Sequence, residues 1–391
     1  MIVKNNMSKT LGLYIHIPFC KQKCNYCDFY SLGCNESNIP SYIDALCTHI
    51  KREAPLYKDY QIDTVFIGGG TPSLVSADDF SKLANTLKNS FLFTHNAEFS
   101  IEANPGTLTK DKLNCYKQNG VNRLSIGLQS VSDDELKVLG RIHTYNEFLN
   151  SYNLARECGF DNINIDVMYG LPNQTLESLK NTLSKICNLA PEHISAYCLK
   201  LEEGTPFYKI QDTLNLPNDD DEYEMYMYLC NELARQGYEQ YEISNFSKKG
   251  RRCVHNLKYW LSYEYIGFGP SAHSFFNGER YYYIDNVHTY INHINVAQSV
   301  DNLPIKQYEE QSDLPICSTD EYIMLKMRLS DGVNEAEFKS KFGMSLLDNY
   351  PEIQNYLKDG YIEYKNGAYS FTPKGFFVSN YILAKILKFN N

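Results

Sequence analysis

The stretch Tyr14-Ile15-His16-Ile17-Pro18-Phe19-Cys20-Lys21-Gln22-Lys23-Cys24-Asn25-Tyr26-Cys27 begins as a β-branched apolar run and breaks at Pro18 into a loop that carries three cysteines. Leu13–Ile17 reads as a strand, and a proline cannot continue its ladder. The spacing C-x3-C-x2-C, on a loop directly after a strand, lets three thiolates converge on one inorganic centre. A structural zinc site wants four ligands, commonly from two C-x2-C knuckles, and no second knuckle follows. Three cysteines can instead hold a 4Fe-4S cluster with one iron left open for a small molecule. Zinc, or an incidental group of thiols, stays open as the alternative.

Outward from this loop, the chain to about Leu201 alternates short apolar runs with helix-period stretches, the rhythm of repeated β/α units. The strands are expected at Leu13–Ile17, Thr64–Ile67, Glu98–Glu102, Arg123–Gly127, Asn162–Met168 and His193–Leu199. Helices are expected at Ser41–Glu53, Ala77–Asn89, Lys110–Asn119, Asn146–Cys158 and Leu176–Leu189, each closed by helix-stop residues. Unusual residues follow successive strand ends: Cys20, then Gly68-Gly69-Gly70-Thr71, Asn104-Pro105-Gly106, Gln129, and Gly170-Leu171-Pro172. A barrel-type enzyme carries its site on that rim, so the sequence predicts an α/β fold, a partial (β/α)6 TIM-like barrel.

Composition agrees. The 391 residues hold 37 Lys+Arg against 47 Asp+Glu, a net charge of −10, and 43% are hydrophobic, enough for a large core. Intrinsic disorder is excluded, and the acidic balance speaks against phosphate-backbone binding. Twelve cysteines scattered through a long chain suit metal or redox chemistry in a reducing cytoplasm better than a secreted disulfide scaffold. No export signal is read at Met1–Leu11, and the apolar runs fall far short of the roughly 20 residues of a membrane span. The expected location is cytoplasmic, with membrane contact only peripheral.

Three segments are expected: the barrel over 1–210, a Tyr- and Asn-rich middle region over 211–318 with one helix at Asp220–Gln236, and a C-terminal α+β unit over 319–391. The last has helix-like runs at Glu321–Leu329, Glu335–Phe342 and Leu346–Leu357, then a hairpin signal at Asn366-Gly367. This resembles a winged helix. Its nine basic and nine acidic residues give no footprint for DNA, so a packing role over the barrel is preferred and no nucleic-acid partner is expected.

Taken together, Tyr14–Cys20 with Cys27-Asp28-Phe29, Gly68–Ser73, Ile101–Pro105, Arg123–Ser130, Leu139-Gly140-Arg141 and Asn164–Pro172 resemble, in order, the radical S-adenosylmethionine (radical SAM) proteins around oxygen-independent coproporphyrinogen III oxidase. The resemblance spans about residues 11–380. It implies a 4Fe-4S cluster on Cys20, Cys24 and Cys27, and S-adenosylmethionine near Tyr14, Tyr26, Gly69, Gly70, Thr71, Glu102, Gln129, Arg141 and Asp166. It also implies an external electron donor and a chemistry in which the reduced cluster cleaves a C–S bond of the sulfonium to give a 5′-deoxyadenosyl radical.

Two departures separate the chain from the oxidases. Phe29 stands where they carry a fourth cysteine of the loop, and thirteen residues precede Tyr14 where they carry an extension. Both features resemble the heme chaperones of the same family, as does H-N-x-x-Y-W within Cys253-Val254-His255-Asn256-Leu257-Lys258-Tyr259-Trp260, which holds the only tryptophan. The resemblance implies heme near His255, Cys253, Tyr259 and Trp260, and transfer of heme to an acceptor protein. His or Cys can ligate heme iron, and aromatic faces suit a porphyrin. Packing is the other use of a buried His and Trp, and the ligating atom stays open. His273 is a second candidate, and Arg251 and Arg252 are candidates for propionates. Oxidative decarboxylation of coproporphyrinogen III is the alternative activity, and a dimer is compatible with the sequence.

Overall fold

The computed structural model describes residues 9–33, 38–296, 306–308 and 315–388. Cys34, close enough to the cysteine loop to enter a ligand count, lies outside them. The strands of the first part are β1 (Lys9–Ile17), the two-residue pair β2 (Phe19–Cys20) and β3 (Leu32–Gly33), β4 (Tyr60–Gly69), β5 (Leu92–Ala103), β6 (Arg123–Gln129), β7 (Ile163–Tyr169) and β8 (His193–Cys198). The six expected strands run parallel in the order β1-β4-β5-β6-β7-β8. Leu11, Leu13, Ile15 and Ile17 on one face of β1 are fully buried, and Gly12 and His16 on the other face are buried too, as a strand covered on both faces requires. The intervening helices start where the sequence supplies hydroxyl caps. Ser76, Thr109, Thr144 and Thr175 each accept an N–H from three residues on, and Thr144 with Glu147 forms a capping box.

The middle region adds strands to this same sheet. β9 (Glu239–Gln240) and β10 (Asn245–Ser247) extend it antiparallel beyond β8. β11 (Tyr265–Phe268) pairs parallel with β1, and β12 (His273–Phe276), β13 (Glu279–Tyr283) and β14 (Lys306–Tyr308) continue antiparallel. Among the described residues the result is an open sheet of 12 strands with β14 and β9 at its edges. A strand of four residues containing Gly267 is too short to show a period, which is why β11 was not expected.

In the C-terminal unit, β15 (Val333–Asn334), β16 (Ile362–Lys365) and β17 (Ala368–Phe371) form a small antiparallel sheet. Asn366 and Gly367 both have positive φ, 53° and 80°, the turn that matches strand twist. The helix expected over Leu346–Leu357 is two, Leu346–Asn349 and Ile353–Lys358. Pro351 disfavours a helical backbone before it, and Tyr350 leaves the helix at φ −130°. Among the described residues no helix is long and apolar enough to cross a membrane.

Candidate functional site

The carboxyl ends of the parallel strands open into a cavity of about 920 Å³. Every expected strand sends residues to its wall: Cys20 after β1, Gly69 and Gly70 from the end of β4, Glu102 from β5, Gly127 and Gln129 from β6, Asp166 from β7, and Tyr197 from β8. Cys24, Tyr26, Cys27, Thr71 and Arg141 line it as well. Two backbone features shape this rim. Gly69 has φ +112°, and a Cβ there would meet the His16 ring at 2.7 Å; a Cβ at Gly70 would meet the Phe19 carbonyl at 2.7 Å and Cys20 Sγ at 3.0 Å. At β6 the register with β7 shifts between Gly127 and Gln129, and Gln129 takes φ 73°. A bulge with a left-handed non-glycine residue costs about 1–3 kcal/mol and re-aims a side chain, as sheet ends beside sites often do.

The cysteine loop is clamped to the C-terminal end of the helix Asp133–Val138. Asn25 Nδ2 donates to the Val138 carbonyl at 2.9 Å, its backbone N–H to Leu139 at 3.0 Å, and Gln22 Nε2 to Gly140 at 3.0 Å. The clamp places Arg141 beside the thiols, and one hydrogen-bond chain then joins two of them. Thr71 Oγ1 donates to Cys20 Sγ at 3.6 Å and accepts from Asn104 Nδ2 at 2.9 Å. Arg141 donates to Asn104 Oδ1 at 2.8 Å, to the Gly127 carbonyl at 2.7 Å and to Cys24 Sγ at 3.5 Å. Asn104 was legible only as part of the Asn-Pro-Gly turn; its place as the link of this chain was not. Burial pushes the Cys27 thiol up to about 11. Below the thiols, burial and the neighbouring Asp166 push Glu102 up to about 8 although it accepts the Gly69 N–H at 3.2 Å, and burial raises Asp166 too.

Three thiols on one cavity wall fit a 4Fe-4S cluster. Among the described residues no three Cys, His, Asp or Glu side chains close on a point that would hold a single metal ion. The raised carboxyls suit hydrogen bonding to hydroxyls rather than solvation as free anions. Such a cluster with S-adenosylmethionine supplies one-electron cleavage chemistry when bound; the chain supplies the thiols, the glycine-lined approach and a partly enclosed site.

The remaining expected residues divide. Tyr14 does not line the cavity; its hydroxyl meets His16 Nδ1 at 3.0 Å, and His16 Nε2 lies 2.9 Å from the Tyr30 carbonyl, so Tyr14 fixes the ring that backs Gly69. Of the four heme candidates only Trp260 faces the cavity. His255 is fully buried, with Nδ1 2.9 Å from Thr64 Oγ1, Nε2 2.8 Å from Tyr259 Oη, and its ring stacked 5.4 Å from Phe66. Burial and the cations Lys258 and Arg123 drive it down to about 3. Cys253 Sγ meets Glu98 at 3.5 Å, and Glu98 also accepts the Val254 and His255 N–H groups. Arg251 and Arg252 pair with Asp161 and Asp331, and His273 stacks on Tyr282.

The comparisons with known proteins agree with this geometry. The model of the Radical SAM superfamily matches residues 14–186, and that of the HemN C-terminal domain matches residues 320–378. The heme chaperone HemW of Bacillus subtilis is 35% identical over 378 residues, covering 96% of this chain and 98% of its own, and that of Escherichia coli is 34% identical over 379 residues with the same coverage. The chain belongs to the HemW family of radical SAM proteins. The family implies the 4Fe-4S cluster and S-adenosylmethionine that the rim fits. The solved coproporphyrinogen III oxidase HemN of Escherichia coli superposes with a TM-score of 0.81 over 97% of this chain and 91% of its own at 23% identity, which shows that the two share a fold.

Proposed function

We propose that this protein is a heme chaperone that binds heme and passes it to an acceptor protein, with a cluster on Cys20, Cys24 and Cys27 and S-adenosylmethionine beside it. The carrying observation is the near full-length match to HemW relatives together with the three-thiol loop in which Phe29 takes the place of a fourth cysteine. Tyr26, Gly69, Gly70, Thr71, Glu102, Gln129, Arg141 and Asp166 serve the S-adenosylmethionine, with Tyr14 acting through His16. Of Cys253, His255, Tyr259 and Trp260, the last touches heme, and His255 and Tyr259 hold its helix in place. An electron donor serves the cluster, the work is done in the cytoplasm, and dimerisation is compatible with it.

The test is anaerobic incubation of cluster-reconstituted protein with coproporphyrinogen III and S-adenosylmethionine, with hemin titration in parallel. The expected result is a Soret band on titration and no steady production of protoporphyrinogen IX. Turnover of the porphyrinogen would establish the oxidase instead.

A further inference from the structure

The cavity has a second end, away from the thiols, where the C-terminal unit closes over the sheet. Its wall there is largely flat and apolar, with Trp260, Tyr226, Met324 and Phe377, and it contains one guanidinium, Arg328. Arg328 is half-buried just past the helix Thr319–Lys326. It donates to Ser379 Oγ at 3.0 Å and Asn380 Oδ1 at 2.7 Å, both neutral acceptors, and among the described residues it makes no ion pair. Burial lowers its pKa, as for a cation short of a counter-charge. Glu242 acts on it from beyond ion-pair distance and is already engaged: it accepts the Ser244 N–H at 3.0 Å and a hydrogen bond from the Trp260 side chain. That bond fixes the indole at the wall. The backbone also ties these two groups to one place, through the bridge between Glu242 and Leu329 and the Ser330 N–H to Tyr241 at 3.0 Å.

A partly desolvated guanidinium without a carboxylate is expensive unless a ligand supplies one, and its forked donors match a carboxylate in two bonds. An aromatic wall beside it selects a flat apolar body. We infer that Arg328 clamps a propionate of a tetrapyrrole whose face lies against Trp260, so that the cargo sits between the sheet and the C-terminal unit. Of the other cations on the wall, Lys23 and Lys200 are exposed and do not share this desolvation, and Arg141 is engaged with Asn104, Gly127 and Cys24 at the thiol end. The inference rests on the heme reading above and adds the residue that recognises the cargo's acid groups.

Soret titration of cluster-reconstituted protein with hemin and with hemin dimethyl ester tests it. The ester is expected to bind the unaltered protein about 10- to 100-fold more weakly, the worth of a charge-assisted bond. Arg328→Gln is expected to lose a similar factor for hemin and nothing further for the ester, and Trp260→Leu to weaken both ligands alike. Equal binding of hemin and its ester by the unaltered protein would overturn the clamp, and that comparison stands even if Arg328→Gln folds poorly. Absence of any Soret band with either ligand would instead overturn the heme reading itself.

Discussion

The loop at 20–27 and the segment at 253–260 each set cysteine among aromatic residues, and they end up in opposite situations. In the loop, the thiols sit on the wall of the cavity; Cys20 and Cys24 each receive one long hydrogen bond, from Thr71 and Arg141, which leaves lone pairs to spend on a ligand. In the segment, His255 has both ring nitrogens engaged within 3.0 Å and Cys253 is sealed against Glu98. Residue type alone does not make a ligand. What decides is whether the group's bonding capacity is already consumed by the fold.

The largest effect on this contrast should come from removing the thiols. Substituting Cys20, Cys24 and Cys27 together by Ala should abolish bound iron and sulfide after anaerobic reconstitution while leaving the fold intact, as read by far-ultraviolet circular dichroism. Iron and sulfide retained at the level of the unaltered protein would place the cluster elsewhere. The converse applies to His255→Ala. It deletes a buried ring and strands Thr64 Oγ1 and Tyr259 Oη, so it should cost about 2–4 kcal/mol in urea denaturation, with cluster content unchanged. A variant as stable as the parent would show that His255 is spare for another use.

Between these lies the glycine rim. Gly70→Ala places a Cβ against the Phe19 backbone, which cannot rotate away, and against Cys20 Sγ. It should cost about 1–3 kcal/mol and lower cluster occupancy, because the displaced atoms include a thiol of the proposed cluster site. Full occupancy with unaltered stability would mean that the loop is looser than its clamp of Asn25 and Gln22 implies.

Glu102 gives a pH signature. Its carboxyl is raised towards about 8, so between its ordinary range and that value the folded state holds more protons than the unfolded one. Stability of the protein without added S-adenosylmethionine should therefore be fully present below about pH 4.5 as far as this group is concerned, and fall as pH rises towards 8. Asp166 shifts in the same direction and adds to the fall, while Arg123 and the Gly69 N–H oppose it. Glu102→Gln should flatten the slope, measured as denaturation midpoint against pH. An unchanged slope would mean that solvent reaches the carboxyl.

That the three thiols and the glycine turn meet on one rim was legible because its determinants are local. A strand, a proline and three spaced cysteines specify the loop, and glycines or an Asn-Pro-Gly turn mark the next strand ends. The far end was not, because its residues come from positions around 226, 260, 328 and 377 that only the tertiary fold brings together. The same limit explains the arginines. Arg251 and Arg252 drew notice by standing next to the aromatic motif, whereas Arg328 shares no sequence neighbourhood with it.

The smallest expected effect completes the contrast between a residue near the motif and one near the cavity. Arg252 Nη1 sits 2.8 Å from Asp331, with the side chains 32% and 65% exposed, and its guanidinium lies over the Tyr241 ring at 5.5 Å. Water competes for both charges, so Arg252→Ala should cost under about 1 kcal/mol. Because its charge is already answered by Asp331, hemin affinity should be unchanged. A tenfold loss of hemin affinity in Arg252→Ala, with Arg328→Gln silent, would move the propionates out to the surface and reverse the order of the two ends.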